Sequence, residues 1–330
     1  MMKTSKNFLS DIDLSVILPI CHITNNLSRC IHSLLIWNSA HVEFLFVLDR
    51  SLISHKIQIE KQLKKYQAQD KRIRILYSEG GCACAKNKGL CEASGTYIGF
   101  VNSDDFVDPS MFEKLLTQAL CDKYDYAYTG YQTILGDATH KKPVQSDLLD
   151  TPYSLGTRDL DYICHYIANA QPAIWQGIYK KSLLYKNNIS FQEYLAPYAD
   201  LPFHLEALFA VRSMICVPEH LYFHQIHSTC ESQKSKKGIG KQHSTTSDDR
   251  LFTYFCVFDY LDRKLFTMNS QRKTDCLQLV KVATHRSICR QIAPVWRHEY
   301  KKRAKNDLYN NISYIQTICL LLKDCLLRVQ

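Results

Sequence analysis

Residues 95–109 have the sequence Gly-Thr-Tyr-Ile-Gly-Phe-Val-Asn-Ser-Asp-Asp-Phe-Val-Asp-Pro. A hydrophobic run of strand length, residues 97–101, leads directly into Asn102, Asp104 and Asp105. Carboxylates at the carboxyl end of a parallel strand face the crevice in which open α/β sheets bind their ligands. There they can hold a divalent cation through oxygen ligands and so position a diphosphate.

Strands and helices alternate on both sides of this stretch. Runs of strand length cover residues 14–19, 42–48, 73–77 and 97–101, and amphipathic helical patterns cover residues 26–37, 57–66 and 83–93. This succession predicts an α/β fold with a mainly parallel, Rossmann-like sheet and right-handed crossovers. The ligand crevice is expected at the carboxyl ends of the strands.

The acidic turn has a second interpretation. A solvated turn before a helix that begins at Ser110 needs no ligand, and Asp108 favours the start of that helix through the helix dipole. For an isolated strand followed by two aspartates, this second interpretation is the favoured one. Motifs elsewhere in the chain have to decide between the two.

Composition excludes several classes of protein. The chain has 330 residues, of which 46% are hydrophobic and 22% are charged. These values exclude intrinsic disorder, collagen-like repeats and disulfide-rich miniproteins. The net charge of +9 is concentrated at the end, because residues 271–330 hold 12 basic and 4 acidic residues. A basic tail on a nearly neutral body points to an anionic surface, either phospholipid or nucleic acid.

The cysteines do not predict a metal site. None of the 14 cysteines has Cys-x-x-Cys spacing, and Cys82 and Cys84 lack a matching pair at zinc-finger distance. The apolar run at residues 14–20 is too short for a signal peptide, and no window reaches the ~20 apolar residues that span a bilayer. We therefore expect a cytoplasmic protein whose thiols are reduced.

The second half of the chain is less regular. Residues 136–150 are polar and predict a loop or an insertion over the crevice. Strands are predicted at residues 175–179, 214–217 and 221–226, and a helix at residues 201–211. The predicted domains are a catalytic domain (1–230), a flexible polar linker (231–249) and a basic helical C-terminal extension (250–330).

Several motifs occur in one order along residues 13–230. They are Leu14-Ser-Val-Ile-Leu-Pro19, Cys84-Ala-Lys-Asn-Lys-Gly-Leu90 and Tyr198-Ala-Asp-Leu-Pro-Phe203. With the strand that leads into Asn102, they resemble glycosyltransferase family 2, the inverting nucleotide-sugar transferases with the GT-A fold. The second half is similar to the capsule and lipopolysaccharide members of that family. The resemblance implies a hexosyltransferase-type enzyme of polysaccharide synthesis, with a UDP-sugar as the simplest donor and a glycan or lipid-linked acceptor.

The resemblance also implies a donor site. Its residues are Pro19, Cys21, Asp49, Lys86, Asn102, Ser103 and Asp104. Asp104 is the implied ligand of a divalent cation, Mn²⁺ or Mg²⁺, with Asp105, His224 or His227 as further candidates. The chain departs from the usual family residues at Cys21, Leu48, Arg50 and Asn102. Asn102 removes one negative charge from the metal site, which should weaken cation binding or relax the dependence on it. Cys21, Leu48 and Arg50 leave recognition of uracil open. Lys86 stands where the family usually has arginine and keeps the charge.

The implied catalytic base is Asp200. In the family this carboxylate takes the proton from the acceptor hydroxyl as that oxygen attacks the anomeric carbon opposite the leaving diphosphate. The glutamate that usually precedes it is Ala199 here. Asp200 is also suited to be the N-cap of the helix predicted at residues 201–211, and we expect it to serve as both base and cap.

Three further assignments keep two interpretations each. Trp175 either stacks on an acceptor sugar or belongs to the core. His224 and His227 either touch phosphate or complete the metal shell, or they lie on the surface of an edge strand, which is the favoured interpretation. The extension has basic residues at 297–305 before an apolar run at 315–327. It either lies on an anionic membrane or packs as a helix on the catalytic domain or in a dimer.

Two other functions are alternatives to the transferase. A family-2-like fold without turnover would act as a binding or assembly subunit, as Leu48, Asn102 and Ala199 suggest. A dinucleotide-dependent oxidoreductase is excluded, because Pro19-Ile-Cys-His-Ile-Thr24 stands where a glycine-rich turn is needed. We expect a cytoplasmic enzyme, or one at the inner face of the membrane, and no nucleic-acid partner.

Overall fold

The structure is a computed structural model that describes residues 12–22, 24–51, 56–135, 140–143, 166, 173–195 and 199–226. Contacts between Cα atoms divide the chain into two compact units, residues 1–163 with 172–238, and residues 164–171 with 239–330. The described residues other than Tyr166 belong to the first unit. His227, the linker 231–249 and the extension 250–330 lie outside the described residues, so the predicted domain boundaries stay predictions.

The first unit alternates strands and helices through its first hundred residues. These elements are β1 (Leu14–Ile20), α1 (Leu27–Leu35), β2 (Val42–Asp49), α2 (Lys56–Gln69), β3 (Ile73–Ser78), α3 (Cys82–Glu92) and β4 (Tyr97–Phe100). Then follow β5 (Phe106–Val107), α4 (Met111–Cys121), β6 (Tyr126–Leu135), β7 (His140–Pro143), β8 (Gly177–Lys180), α5 (Lys181–Lys186), α6 (Asp200–Ala210) and β9 (Met214–Ile226).

The strands form one sheet in the order β3-β2-β1-β4-β8-β6-β9-β5, and β7 pairs with β6. Strands β1 to β4 are parallel to one another, and β6 is parallel to β9. Strands β8 and β5 run antiparallel to their neighbours. The predicted α/β class with a mainly parallel sheet is confirmed.

The first strands have the composition of a sheet that is covered on both faces. Every residue of β1 and of β2 is buried, as expected for parallel strands that read as continuous hydrophobic runs. Helix α3 packs closely on β1 because Gly89 has no side chain. A Cβ at Gly89 would lie 2.5 Å from Cγ2 of Ile17, so a larger residue would push α3 away from the sheet.

The second half corrects three predictions. The strands predicted at residues 214–217 and 221–226 are one strand, β9, which follows β6 through register shifts around Gly130. Part of the loop predicted at residues 136–150 is strand, because β7 pairs with β6. Residues 174–176 form a short 3-10 helix before β8. These strands gain their stability from pairing across the sheet, which local sequence patterns do not show.

Aromatic rings fix α6 to the sheet. The rings of Phe191 and Phe203 stack with their centroids 3.9 Å apart, and Phe100 of β4 meets both rings edge-on at 5.5 and 5.6 Å. All three side chains are buried. Helix α6 therefore begins at a defined distance from the end of β4. Within the ranges that the structure describes, none of the helices combines the length and apolar character needed to cross a membrane.

Candidate active site

The carboxyl ends of the parallel strands meet at one edge of the sheet. Ile20 at the end of β1 pairs with Leu48, and Asp49 at the end of β2 pairs with Ser78. Strand β4 ends at Phe100 and leads into Asn102 to Asp105. Most of the residues predicted for the donor site therefore follow neighbouring strands at the same edge.

Asp49 is held with one carboxylate oxygen unused. Its Oδ1 accepts hydrogen bonds from the backbone N–H and the hydroxyl of Ser51, at 2.8 and 2.7 Å. Its Oδ2 is buried and has no hydrogen-bond partner among the described residues. A fully buried carboxylate oxygen without a donor is costly, so this oxygen is suited to accept a hydrogen bond from a ligand.

Arg50 is not the hydrogen-bond partner that Asp49 Oδ2 lacks among the described residues. Its guanidinium stacks on the ring of Tyr77 at 3.7 Å and lies 3.6 Å from the carboxylate of Glu60. The Tyr77 hydroxyl in turn donates to Glu60 at 2.8 Å. Arg50 is therefore used in a contact with α2.

The two aspartates after β4 have different surroundings. Asp105 is fully buried and accepts hydrogen bonds from the Tyr222 hydroxyl at 2.6 Å, the Gln225 backbone N–H at 2.8 Å and the Asn102 side chain at 3.0 Å. His224 Nδ1 lies 3.2 Å from its Oδ1. Protein donors thus surround Asp105, which favours a role in anchoring this turn to β9.

Asp104 is half-buried and lies in a turn that is held through its backbone. Its carbonyl accepts a hydrogen bond from the Asn26 side chain at 3.3 Å, and the Ser103 carbonyl accepts one from Thr24 at 3.3 Å. The Ser103 hydroxyl is buried without a partner among the described residues. These contacts place the turn beside the segment that joins β1 to α1.

His224 faces both aspartates. Burial by itself lowers the pKa of His224, but the hydrogen bond to Asp105 and the charges of Asp105 and Asp104 raise it above the usual value. Because Nδ1 donates to a carboxylate, Nε2 is the nitrogen left to accept or to coordinate. His224 thus lies within electrostatic reach of the predicted metal ligand Asp104.

The metal-ligating side chains near Asp104 fit a cation that binds together with a diphosphate. Among the described residues, no group of three or more His, Cys, Asp or Glu side chains is arranged to hold a metal ion by itself. Asp104 and one imidazole supply only part of a coordination sphere. Mg²⁺ in particular is commonly held by one or two carboxylates together with phosphate oxygens of the substrate.

Lys86 and Asp200 form a short ion pair. Lys86 Nζ lies 2.5 Å from Oδ1 of Asp200, and the side chains are 7% and 25% exposed. The expected cap is not found, because Ala199 is the N-cap of α6 and makes no side-chain capping bond, while Asp200 is the first helical residue. The carboxylate of Asp200 is turned to Lys86 instead, since a buried ammonium needs an anionic partner.

A pair of thiols lies next to these charges. Cys21 and Cys82 are hydrogen-bonded to each other, which together with burial raises the pKa of Cys21 and by itself lowers that of Cys82. Lys86 lowers the pKa of Cys82 further, while Asp200 and Asp49 act in the opposite direction. The charges of Asp49 and Asp200 thus both influence the thiol of Cys82, the first residue of α3.

Trp175 and Pro19 lie in the protein interior. Trp175 is 8% exposed and stacks on Tyr222 with ring centroids 4.2 Å apart and on His224 at 5.4 Å. This packing is that of a core tryptophan, and contact with an acceptor sugar stays a prediction. Pro19 is buried within β1, opposite Val47.

Asn87 lies beside the site and binds the backbone of Phe191, a role that its place in the motif of residues 84–90 did not predict. Its side-chain amide donates to the carbonyl of Phe191 at 2.8 Å and accepts from the N–H of Phe191 at 2.9 Å. It also donates to Glu193 at 3.0 Å. Its position directly after Lys86 was the one available signal.

The comparisons with known proteins agree with this geometry. Residues 15–183, half of the chain, match the family described as Glycosyl transferase family 2. This chain belongs to glycosyltransferase family 2.

Two curated relatives of this chain are described as uncharacterized glycosyltransferases. YibD of Escherichia coli strain K12 is 26% identical over 228 residues, which cover 68% of this chain and 64% of YibD. EpsJ of Bacillus subtilis strain 168 is 27% identical over 222 residues, which cover 64% of this chain and 60% of EpsJ. The chain therefore spans less than two thirds of the length of both relatives.

A solved structure shows the same fold. TarS 1-349 of S. aureus, crystallised in complex with UDP-GlcNAc, matches this family member with a TM-score of 0.56 at 16% identity, over 86% of this chain and 73% of that chain. At this identity the match shows the GT-A fold.

Proposed function

We propose that this glycosyltransferase moves one sugar from a nucleoside diphosphate donor to a hydroxyl of a glycan or lipid-linked acceptor, with inversion at the anomeric carbon. The observations that carry this proposal are the buried Oδ2 of Asp49, which has no hydrogen-bond partner among the described residues, and the Asp200 carboxylate, which Lys86 holds at the start of α6. We assign the first carboxylate to the nucleotide and the second to the acceptor.

The nucleotide end of the proposed site relies on buried oxygens. Asp49 Oδ2 and the Ser103 hydroxyl are both buried without partners among the described residues. A nucleoside offers N–H and O–H donors to a carboxylate of this kind. Uracil is the base to test first, with UDP as the ligand, because TarS has the same fold and was crystallised with UDP-GlcNAc.

At the reacting end, Asp200 is proposed to accept the proton of the acceptor hydroxyl while that oxygen bonds to the anomeric carbon. The bond between the anomeric carbon and the diphosphate oxygen breaks with its electron pair on the leaving group, so one displacement inverts the anomeric configuration. Asp104, with His224 as the second candidate, would hold a divalent cation, which would neutralise charge on the diphosphate. Asn102 donates to Asp105 and keeps the turn of Asp104 in place.

We infer a role in the synthesis of a surface polysaccharide, such as a capsule, lipopolysaccharide or exopolysaccharide. TuaG of Bacillus subtilis strain 168, described as a putative teichuronic acid biosynthesis glycosyltransferase, is 32% identical to this chain over 127 residues, which cover 38% of it. That relative supports a polysaccharide acceptor and leaves the particular glycan open.

A second candidate function is a binding or assembly subunit without turnover. Leu48, where the family usually has aspartate, is fully buried, and Ala199 is 3% exposed, so neither side chain offers a polar group to a substrate. This candidate shares the nucleotide site but requires no base.

Thermal stability tests the donor site directly. The full chain is heated with uridine, guanosine, cytidine or thymidine diphosphate, each with and without Mn²⁺, beside an Asp104→Ala variant. A diphosphate at a hundred times its Kd should add about 2.7 kcal/mol to the free energy of unfolding. We expect one diphosphate to raise Tm with Mn²⁺ in the wild type only. No response to any of the four contradicts the donor site.

Product formation separates the enzyme from the subunit. Transfer or hydrolysis of a sugar nucleotide that Asp200→Asn abolishes supports the enzyme. Binding of a diphosphate without any turnover supports the binding subunit.

A further inference from the structure

The ion pair between Lys86 and Asp200 joins α3 to the first residue of α6. Lys86 lies in the middle of α3, where it is almost completely buried. Its Nζ and Oδ1 of Asp200 lie 2.5 Å apart, in direct contact between opposite charges. Within the described ranges, the Asp200 side chain accepts its hydrogen bond through Oδ1, and Oδ2 is the oxygen that can accept from another group.

The charge of Lys86 depends on its anionic neighbours. Burial lowers the pKa of Lys86, but Asp200, followed by the thiols Cys82 and Cys21, raises it above the usual value. The ring of Phe191 lies 5.3 Å from Nζ and covers the ammonium on another side. Lys86 therefore remains an ammonium whose strongest partner is Asp200.

Asn87, the next residue of α3, provides a second connection to α6. Asn87 pairs with both backbone groups of Phe191, and the Phe191 ring stacks on Phe203 of α6 at 3.9 Å. The start of α6 is thus connected to α3 through Lys86 to Asp200 and through Asn87 to Phe203. Two independent connections of this kind restrict the position of the Asp200 carboxylate.

We infer that Lys86 is a positioning residue for the general base, and that its ammonium holds Oδ1 of Asp200 so that Oδ2 is presented to the acceptor hydroxyl. The inference rests on the proposed function of Asp200. It differs from the diphosphate contact that the sequence predicts for Lys86, because the ammonium is bound to the base. An arginine, the usual residue of the family at this position, is able to make the same contact with a carboxylate.

Affinity and turnover distinguish these two roles. UDP binding is measured by calorimetry with Mn²⁺, and turnover is measured as release of UDP from UDP-N-acetylglucosamine at saturating concentration, with water as acceptor. For Lys86→Met we expect the Kd for UDP to change by less than about threefold while kcat falls by about 100-fold, the effect of a misplaced catalytic group. Lys86→Arg should recover most of kcat, which a merely structural lysine would not require.

Two controls accompany these variants. Lys88→Met removes an exposed lysine two residues further along α3, where it pairs with Glu92, and should leave Kd and kcat unchanged. Melting curves establish that each variant is folded. If Lys86→Met unfolds, the comparison is made between Lys86→Arg and Lys86→Gln, which keep a polar group at the site.

The outcomes separate the inference from the proposed function. A Kd for UDP weakened tenfold or more in Lys86→Met, with kcat preserved at saturating donor, overturns the positioning role and restores the diphosphate contact. A wild-type chain that binds UDP and never releases it from UDP-N-acetylglucosamine contradicts turnover with this donor, and with it the role given to Lys86.

Discussion

The hydroxyl of Tyr222 donates a hydrogen bond of 2.6 Å to Oδ2 of Asp105. Tyr222 lies in β9, and Asp105 lies in the turn after β4, so this bond joins two segments separated by 117 residues. Burial, together with the neighbouring Asp105 charge, raises the pKa of Tyr222 well above its ordinary value, so the hydroxyl keeps its proton. The acidic pair is thereby divided into an anchoring carboxylate, Asp105, and a half-buried one, Asp104.

This division predicts that the same substitution affects stability at Asp105 and ligand binding at Asp104. Asp105→Asn removes the charge that Tyr222, Gln225 and His224 share, and should lower the free energy of unfolding by about 3 kcal/mol. Asp104→Asn should change stability by less than about 1 kcal/mol but abolish the stabilisation by diphosphate and Mn²⁺. Urea unfolding of both variants, with and without the ligands, measures the two effects. Equal losses of stability would contradict the division.

Asp49 should affect binding more than folding. Asp49→Asn weakens an acceptor whose Oδ2 has no partner among the described residues, so the folded chain loses little. Hydrogen bonds to charged groups contribute about 1.5–3 kcal/mol, and we therefore expect the Kd of the nucleoside diphosphate to rise tenfold or more.

Titration calorimetry of Asp49→Asn tests this expectation, with Asp122→Asn as the matched control at the exposed carboxyl end of α4. Unchanged affinity in Asp49→Asn would place the nucleotide elsewhere. A large loss of stability would show that Oδ2 has a structural partner.

His204 predicts a sensitivity to acid. It is fully buried, its Nδ1 lies 2.5 Å from the Tyr179 hydroxyl, and burial lowers its pKa to about 3. Because the unfolded chain binds the proton near pH 6.5 and the folded chain does not, the contribution is present above that pH. It is lost as the pH falls toward 3. Between pH 7 and pH 4 this amounts to about 3 kcal/mol.

Substitution by an uncharged residue should remove that part of the pH dependence. His204→Gln keeps a polar group opposite Tyr179 and does not titrate, so its stability should fall less steeply between pH 7 and pH 4. If the free energy of unfolding falls equally steeply between pH 7 and pH 4 in His204→Gln and in the wild type, His204 is protonated in the folded chain.

The basic extension predicts binding to an anionic membrane, which is where a lipid-linked acceptor would be found. Residues 297–305 include Lys301, Lys302 and Arg303 before the apolar run at residues 315–327. The full chain should float with vesicles that contain phosphatidylserine at low salt and dissociate as salt increases. Replacing the three basic residues by glutamine should weaken flotation. A chain that stays unbound at low salt contradicts the membrane contact and favours packing of the extension.

Prediction from sequence succeeded where one local pattern determines one element. Strands β1 to β3 and helix α3 lie within two residues of their predicted bounds, because continuous apolar runs and amphipathic periodicity are properties of short segments. Strands β6 and β7 and the continuity of β9 were not predicted. Their residues are strands because they pair with segments far along the chain, and no short window contains both partners.

The candidate site divides in the same way. The order of motifs predicts Asp49, Asp104 and Asp200 as site residues, and Asp49 and Asp104 lie at one edge because parallel strands bring their carboxyl ends together. Sequence did not distinguish Asp104 from Asp105, because the difference lies in Tyr222 and Gln225 of a distant strand. It also assigned Asp200 to a helix cap that Ala199 occupies.

Local periodicity and motif order therefore predict the fold class, the family and the side chains expected near the edge of the sheet. The hydrogen-bond and ion-pair partners of those side chains depend on the folded chain. Lys86 meets Asp200 across 114 residues and Asn87 holds Phe191 across 104. Hydrogen bonds and ion pairs act over about 3 Å in space, and the distances in space between these residues are set by the packed sheet.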